Sequence, residues 1–162
     1  MSSVGVRIAW ATAADAAALV PLLRALHLHD VAGASSPDEA MLAAHAARLL
    51  EPATPHRLAI AWADDGRPVG LAAVGRFLSI SDPRPDHAGQ MELKELFVLA
   101  EARGEGVGEQ LMAWVEGEAR AAGIARIDWH VKRDNQRGIA FYERLGGHIV
   151  EGRLSMRKSL RP

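Results

Sequence analysis

Residues 101–108 read EARGEGVG, directly after the apolar run LFVLA and directly before apolar residues at helical spacing. Glycine stands at 104, 106 and 108, so side chains are cleared from every second position of a strand-to-helix turn. Bare backbone at that place exposes the unpaired N–H groups of a helix start, where the positive end of the helix dipole also favours an anion. The cluster therefore asks for a sheet with a helix rising from the end of one strand, and it raises the question of which phosphate the turn is cleared for.

Three phosphate-binding readings compete. A P-loop needs lysine and then Ser or Thr after its last glycine, whereas Gly108 is followed by Glu109 and Gln110, and that reading fails. A dinucleotide fingerprint fits Gly104 and Gly106 but meets Glu109 in the third glycine position. Its acidic ribose partner would be Asp128, in the middle of an alternating strand, and the motif would come late in a chain too short for two mononucleotide halves. The third reading, an anion seated on consecutive amides of a helix N-terminus with Arg103 at the rim, needs nothing that the sequence lacks. A glycine-rich turn that binds nothing is its plain alternative.

Around this turn the chain reads as a regular alternation of elements. Val4 to Trp10 alternates as a strand, and Thr12 can cap a helix whose Leu19, Leu22, Leu23 and Leu26 recur at helical spacing. Ser36 or Ser35 can cap a second helix over PDEAMLAAHAARLLE, with Pro37 at its first position and Pro52 closing it. HRLAIAWADDGRPVGLAAVGRFLSI predicts a hairpin turning at Asp64–Gly66, SDPRPDHAG a surface loop, and QMELKELFVLA a further strand. Val107, Leu111, Val115, Ala119 and Ala122 form the stripe of a helix that ends at Gly123. ARIDWHV then alternates as a strand, NQRGIAFYERL predicts a short helix ended by Gly146, and HIVEGRLSMRKSL supplies the last strand or strands. The early strands follow one another without crossover helices, so the expected fold is an α/β (α+β) sandwich with a mixed, mostly antiparallel sheet.

The 162 residues, 49% hydrophobic and 24% charged, suit a single domain over 1–162 with no repeat or linker. A net charge of −1 gives no reason to expect a nucleic-acid partner. Cysteine is absent, which excludes disulfides, thiolate metal sites and a cysteine nucleophile. No run approaches membrane-spanning length, and MSSVGVRIAW lacks a secretory pattern, so a cytoplasmic protein with no membrane partner is expected. His27 and His29 are two apart and on different helix faces, and no metal-binding spacing occurs; no metal is expected. Trp10, Trp62, Trp114 and Trp129 are scattered as core or rim aromatics rather than as a base-stacking platform.

LFVLAEARGEGVGEQLM resembles the acetyl-coenzyme-A signature R/Q-x-x-G-x-G/A of the GCN5-related N-acetyltransferases (GNAT), with Arg103, Gly106 and Gly108 on the pattern and Gly104 in a common extra position. NQRGIAFYERLGG resembles the second cofactor motif of the same family, although Gly147 and His148 stand where an aromatic usually follows. The element order from Val4 to Leu160 is similar as well. The resemblance implies a central sheet of about six to seven strands with about four helices, splayed between strands 4 and 5. It implies acetyl-CoA as co-substrate, its pyrophosphate on the amides of Arg103, Gly104, Glu105, Gly106, Val107 and Gly108. It further implies a pantetheine arm against the backbone of Leu96, Phe97 and Val98, with Asn135 on the other side. Asn135 is otherwise a plain helix cap.

Acetyl transfer to an amine needs a neutral nucleophile, a donor for the oxyanion and a proton for the departing thiolate. The Val98 N–H is the oxyanion donor that the resemblance suggests, and Tyr142, the only tyrosine, falls at the family's general acid; its alternative is a core residue. For the base, Glu95 interrupts the otherwise apolar register Met91, Leu93, Phe97, Leu99, while Glu92 falls in the opposite register with Lys94, Leu96 and Val98. A bulge would change which face each shows, so both glutamates stand as candidates beside a purely ion-paired role. His130, on the strand beside the expected splay, could help the amine, its alternative being a partly exposed strand histidine. The acceptor is a small-molecule amine or a protein amino group, and a homodimer is compatible with the chain. The competing functional classes are an acyl-CoA-sensing module without turnover and a nicotinamide-dependent oxidoreductase.

Overall fold

The computed structural model describes residues 5–31, 33–84 and 89–160; Val4, and residues 85–88 of the expected surface loop, lie outside them. The chain divides after His130 into two compact units. The first carries a sheet in the order β1 (Arg7–Trp10), β2 (His56–Trp62), β3 (Pro68–Leu78), β4 (Gly89–Val98) and β5 (Ile127–Trp129). Neighbours from β1 to β4 run antiparallel, and β5 joins β4 in parallel. A parallel neighbour requires a crossover, and α3 (Val107–Ala121) supplies it.

α1 (Ala16–Asp30) and α2 (Glu39–Leu49) cover one face of the sheet. Leu19, Leu22, Leu42 and Ala46 pack there against Leu58, Ile60, Leu71 and Phe97. Before α1, Thr12 and Asp15 close a capping box around a short 3-10 turn, the Thr12 N–H donating to Asp15 Oδ2 at 2.7 Å. The cap of α2 is Asp38, which accepts the Met41 N–H at 2.7 Å; the expectation of Ser35 or Ser36 is corrected, because the helix begins only after Pro37 and Asp38. The expected hairpin forms, with Gly66 at φ +81° in its turn.

On the opposite face α3 lies over β3 and β4, and β3 is buried on both sides along Val69–Ala72. At the outer margin Trp10 Nε1 donates to Glu118 at 2.8 Å, and the Trp10 and Trp114 rings meet edge to face at 4.7 Å. Gly70 is the point of closest approach. A Cβ added there would stand 2.9 Å from the Phe97 carbonyl oxygen and 3.1 Å from Leu111. The carbonyl belongs to the β3–β4 ladder and cannot yield without spreading it. Gly70→Ala is therefore expected to destabilise the fold by about 1–3 kcal/mol, read as a lower urea midpoint at constant slope; an unchanged midpoint would mean the strands part freely.

The second unit contains α4 (Gln136–Arg144), ended by Gly146 at φ +88°, and a stretch over 148–160 without regular secondary structure. That stretch forms no strand among the described residues, which leaves five strands where about six to seven were expected. A strand is held by its neighbours rather than by its own sequence. Here Gly152 turns the chain at φ +79°, and Leu154, Met156 and Leu160 stay almost fully exposed.

Candidate active site

The pairing of β4 with β5 runs from Met91↔Ile127 to Leu93↔Trp129 and stops, while β4 continues to Val98. Beyond Leu93 this side of β4 pairs with no strand among the described residues, at the place where a splay between strands 4 and 5 was expected. Leu99 N–H donates to the Val69 carbonyl, so the ladder alternation commits Leu99 and Phe97 to β3. Leu96 and Val98 consequently direct their N–H and C=O groups into the gap. Of the three residues expected to meet a pantetheine arm, Leu96 and Val98 turn their backbone groups away from β3, with the Val98 carbonyl accepting from Arg103, and Phe97 contributes its side chain to the core.

Between the pairs Ala73↔Glu95 and Val74↔Leu93 the strand carries one extra residue, Lys94. This bulge reverses the faces of everything beyond it. Partners in an antiparallel pair share a face, so Glu95 goes with Ala73 and Glu92 with Gly75. Both therefore lie on the α1/α2 face together with Phe97. The unbroken register that placed Glu95 with Met91 and Leu93, and Glu92 opposite, is corrected accordingly. Glu92 Oε1 accepts from Lys94 Nζ at 3.0 Å and lies 3.8 Å from His130 Nδ1. Glu95 is half-buried, and the His29 ring reaches the same face, 5.9 Å from the Phe97 ring.

The glycine turn follows β4 by way of a 3-10 turn at Ala100–Ala102. Gly104 and Gly106 adopt φ +83° and +81°, which L side chains rarely do, so the backbone conformation itself asks for glycine at both positions. A Cβ on Gly104 would enter open space. Gly106 is the N-cap of α3 and supplies no capping side chain. The helix starts with Val107, whose side chain is buried in the core while its amide belongs to the first turn, and continues with Gly108. Amides without a side-chain cap, beside exposed Glu105 and two left-handed glycines, form a cradle suited to a diphosphate. Arg103 folds back instead of projecting: its Nε donates to the Val98 carbonyl at 2.9 Å, and its guanidinium lies 5.6 Å from the Phe97 ring centre. Gln110 had no role in the sequence reading. Its amide donates to the Gly106 carbonyl and accepts the Val6 N–H, both at 3.3 Å, tying the helix start to the segment before β1. Its position four residues after an N-cap glycine is the signal that could have revealed it.

In the second unit, Asn135 is the N-cap of α4, its Oδ1 accepting the Gly138 N–H at 2.9 Å. Tyr142 is half-buried on that helix, its ring 5.1 Å from Phe141. Among the described residues no group of His, Asp and Glu is arranged to hold a metal ion, and no helix is long and apolar enough to cross a membrane.

Residues 22–147 match the profile of the Acetyltransferase (GNAT) family. The chain is 36% identical over 91 residues to the aminoalkylphosphonate N-acetyltransferase of Salmonella typhimurium, a match spanning 54% of each protein. Among solved structures, an integron cassette protein from the mobile metagenome of V. cholerae superposes with a TM-score of 0.84 at 25% identity, covering 95% of this chain and 92% of its own. The ribosomal-protein-alanine N-acetyltransferase of Brucella melitensis biovar Abortus 2308 has the same fold at a TM-score of 0.75 and 18% identity, over 96% of this chain and the whole of its own, 100%. A splayed mixed sheet, a glycine-cleared helix start at the end of β4 and a family profile that runs through both establish that the chain belongs to the GNAT family of acetyltransferases.

Proposed function

We propose that this protein transfers an acetyl group from acetyl-CoA to a primary amine by direct transfer in a ternary complex. The observation that carries the reading is the continuity of two donor sets on one stretch of chain. The edge of Leu96 and Val98 turned away from β3, whose Val98 carbonyl accepts from Arg103, leads through Arg103 and Gly104 to the uncapped start of α3. A thioester arm laid along that edge meets strand amides, and its diphosphate end meets helix amides. The Val98 N–H is the donor for the charge that develops on the thioester oxygen, Glu92 and Glu95 are the carboxylates on the acceptor side, and Tyr142 supplies the proton to the leaving thiolate. For Asn135, whose side chain caps α4, a contact with the arm rests on the family resemblance of its motif alone.

The Salmonella relative is an aminoalkylphosphonate N-acetyltransferase, which puts amines bearing an anionic group first among acceptors to try, ahead of other small-molecule amines and protein amino groups. Thermal-shift titration should show stabilisation by acetyl-CoA and none by nicotinamide dinucleotides. A kinetic screen of these amines should then give acetylated product from at least one class. Tight acetyl-CoA binding with no product across the panel would overturn catalysis in favour of an acyl-CoA sensor, and indifference to both cofactors would overturn the reading altogether.

A further inference from the structure

The closed end of the β4–β5 gap carries a group that the reading above does not use. His130 follows the last paired residue, Trp129, and so stands just past the end of the β4–β5 ladder, beside the Lys94 bulge. Asp128 pairs with Glu92 and shares its face, and His130, two residues on, returns to that face. His130 Nδ1 lies 3.8 Å from Glu92 Oε1, beyond hydrogen-bond distance. The same oxygen accepts from Lys94 at 3.0 Å. The Glu92 side chain is 28% exposed and faces the Lys94 ammonium and the His130 ring, whereas the His130 side chain is 78% exposed. With Nδ1 turned to the carboxylate, Nε2 on the far side of the ring is the nitrogen left for an incoming molecule.

A carboxylate behind an imidazole orients the ring and lies beside the positive charge that forms when the ring accepts a proton. The other charged groups around the pair are Lys94 and Glu95 on β4, and Asp128, held by Arg126 at 3.0 Å, on β5. An acyl arm running along Leu96 and Val98 points its thioester towards this closed end. We propose that His130 is the proton acceptor for the acceptor amine and that Glu92 is its positioning residue. This assignment rests on the acetyl-transfer reading. The amine lone pair forms the N–C bond at the thioester carbonyl carbon while Nε2 takes the N–H proton. The C–S bond then breaks with its electron pair going to sulfur, the thiolate is protonated and leaves as the thiol, and the imidazolium returns its proton to solvent.

The test uses the full chain, the amine acetylated fastest in the screen, and calorimetric acetyl-CoA affinity as a readout independent of turnover. His130→Ala should lower kcat by about 100-fold with acetyl-CoA affinity unchanged, and added imidazole should restore part of the loss. Glu92→Gln should lower kcat by about 10-fold with the acceptor KM unchanged, and should cost nothing further in the His130→Ala background. A kcat within twofold of the parent in His130→Ala, or in His130→Gln should the alanine variant not fold, overturns the role of His130. Equal costs of Glu92→Gln in both backgrounds overturn its role as the partner. An unsubstituted protein that binds acetyl-CoA yet acetylates no amine overturns the reading beneath, and this assignment with it.

Discussion

Gly106→Asp is expected to weaken acetyl-CoA binding by at least about 100-fold, close to 2.7 kcal/mol, while the protein stays folded. Gly106 is the N-cap of α3 at φ +81°, where its lack of a side chain leaves the first-turn amides uncovered. Aspartate tolerates left-handed backbone better than most residues and sits favourably at the positive end of a helix, so its cost in stability should be small. Its carboxylate would stand where the diphosphate belongs, with the same sign of charge. Two companion variants separate the causes. Gly106→Ala carries the backbone strain alone, and Gly106→Asn adds bulk and a neutral acceptor without charge. Calorimetric affinities should fall in the order Gly, Ala, Asn, Asp, with far-UV dichroism unchanged. Affinity for Gly106→Asp within threefold of the parent would remove the diphosphate from this turn.

The start of α3 is legible in the sequence because everything that builds it is local: an apolar strand, glycines that free the backbone, and a helical stripe that begins at Val107 and ends at Gly123. The hairpin at Asp64–Gly66 is legible for the same reason. What escaped depends on partners distant in sequence. The Lys94 bulge is a property of β4 paired with β3, since Met91 to Leu99 reads as an unbroken alternation until the register of Ala73 and Val74 shows the extra residue. That single slip carries Glu95 across the sheet to join Glu92, and it turns two alternatives into neighbours on one face. The sequence names His130 but not its approach to Glu92, because that depends on β5 lying parallel to β4 and ending at Trp129. The last stretch misled in the opposite direction, because apolar residues at 154, 156 and 160 describe a face but not the neighbour it would need.

Tyr142→Phe is expected to lower kcat by about 100-fold and to leave acetyl-CoA affinity and acceptor KM within about twofold. A thiolate leaving from the tetrahedral adduct must be protonated or it returns to the carbonyl, and a phenol held beside it shortens that step. Removing one oxygen keeps the ring against Phe141, 5.1 Å away, so the helical packing of α4 survives. The competing account makes the hydroxyl purely structural. At a half-buried position its loss would then appear as about 1 kcal/mol of stability, with activity reduced only by the small fraction unfolded. Measuring kcat and the urea midpoint on the same preparation separates the two, because a proton donor changes the first far more than the second. A kcat within twofold of the parent returns Tyr142 to the packing of α4 and leaves the thiolate to be protonated by solvent.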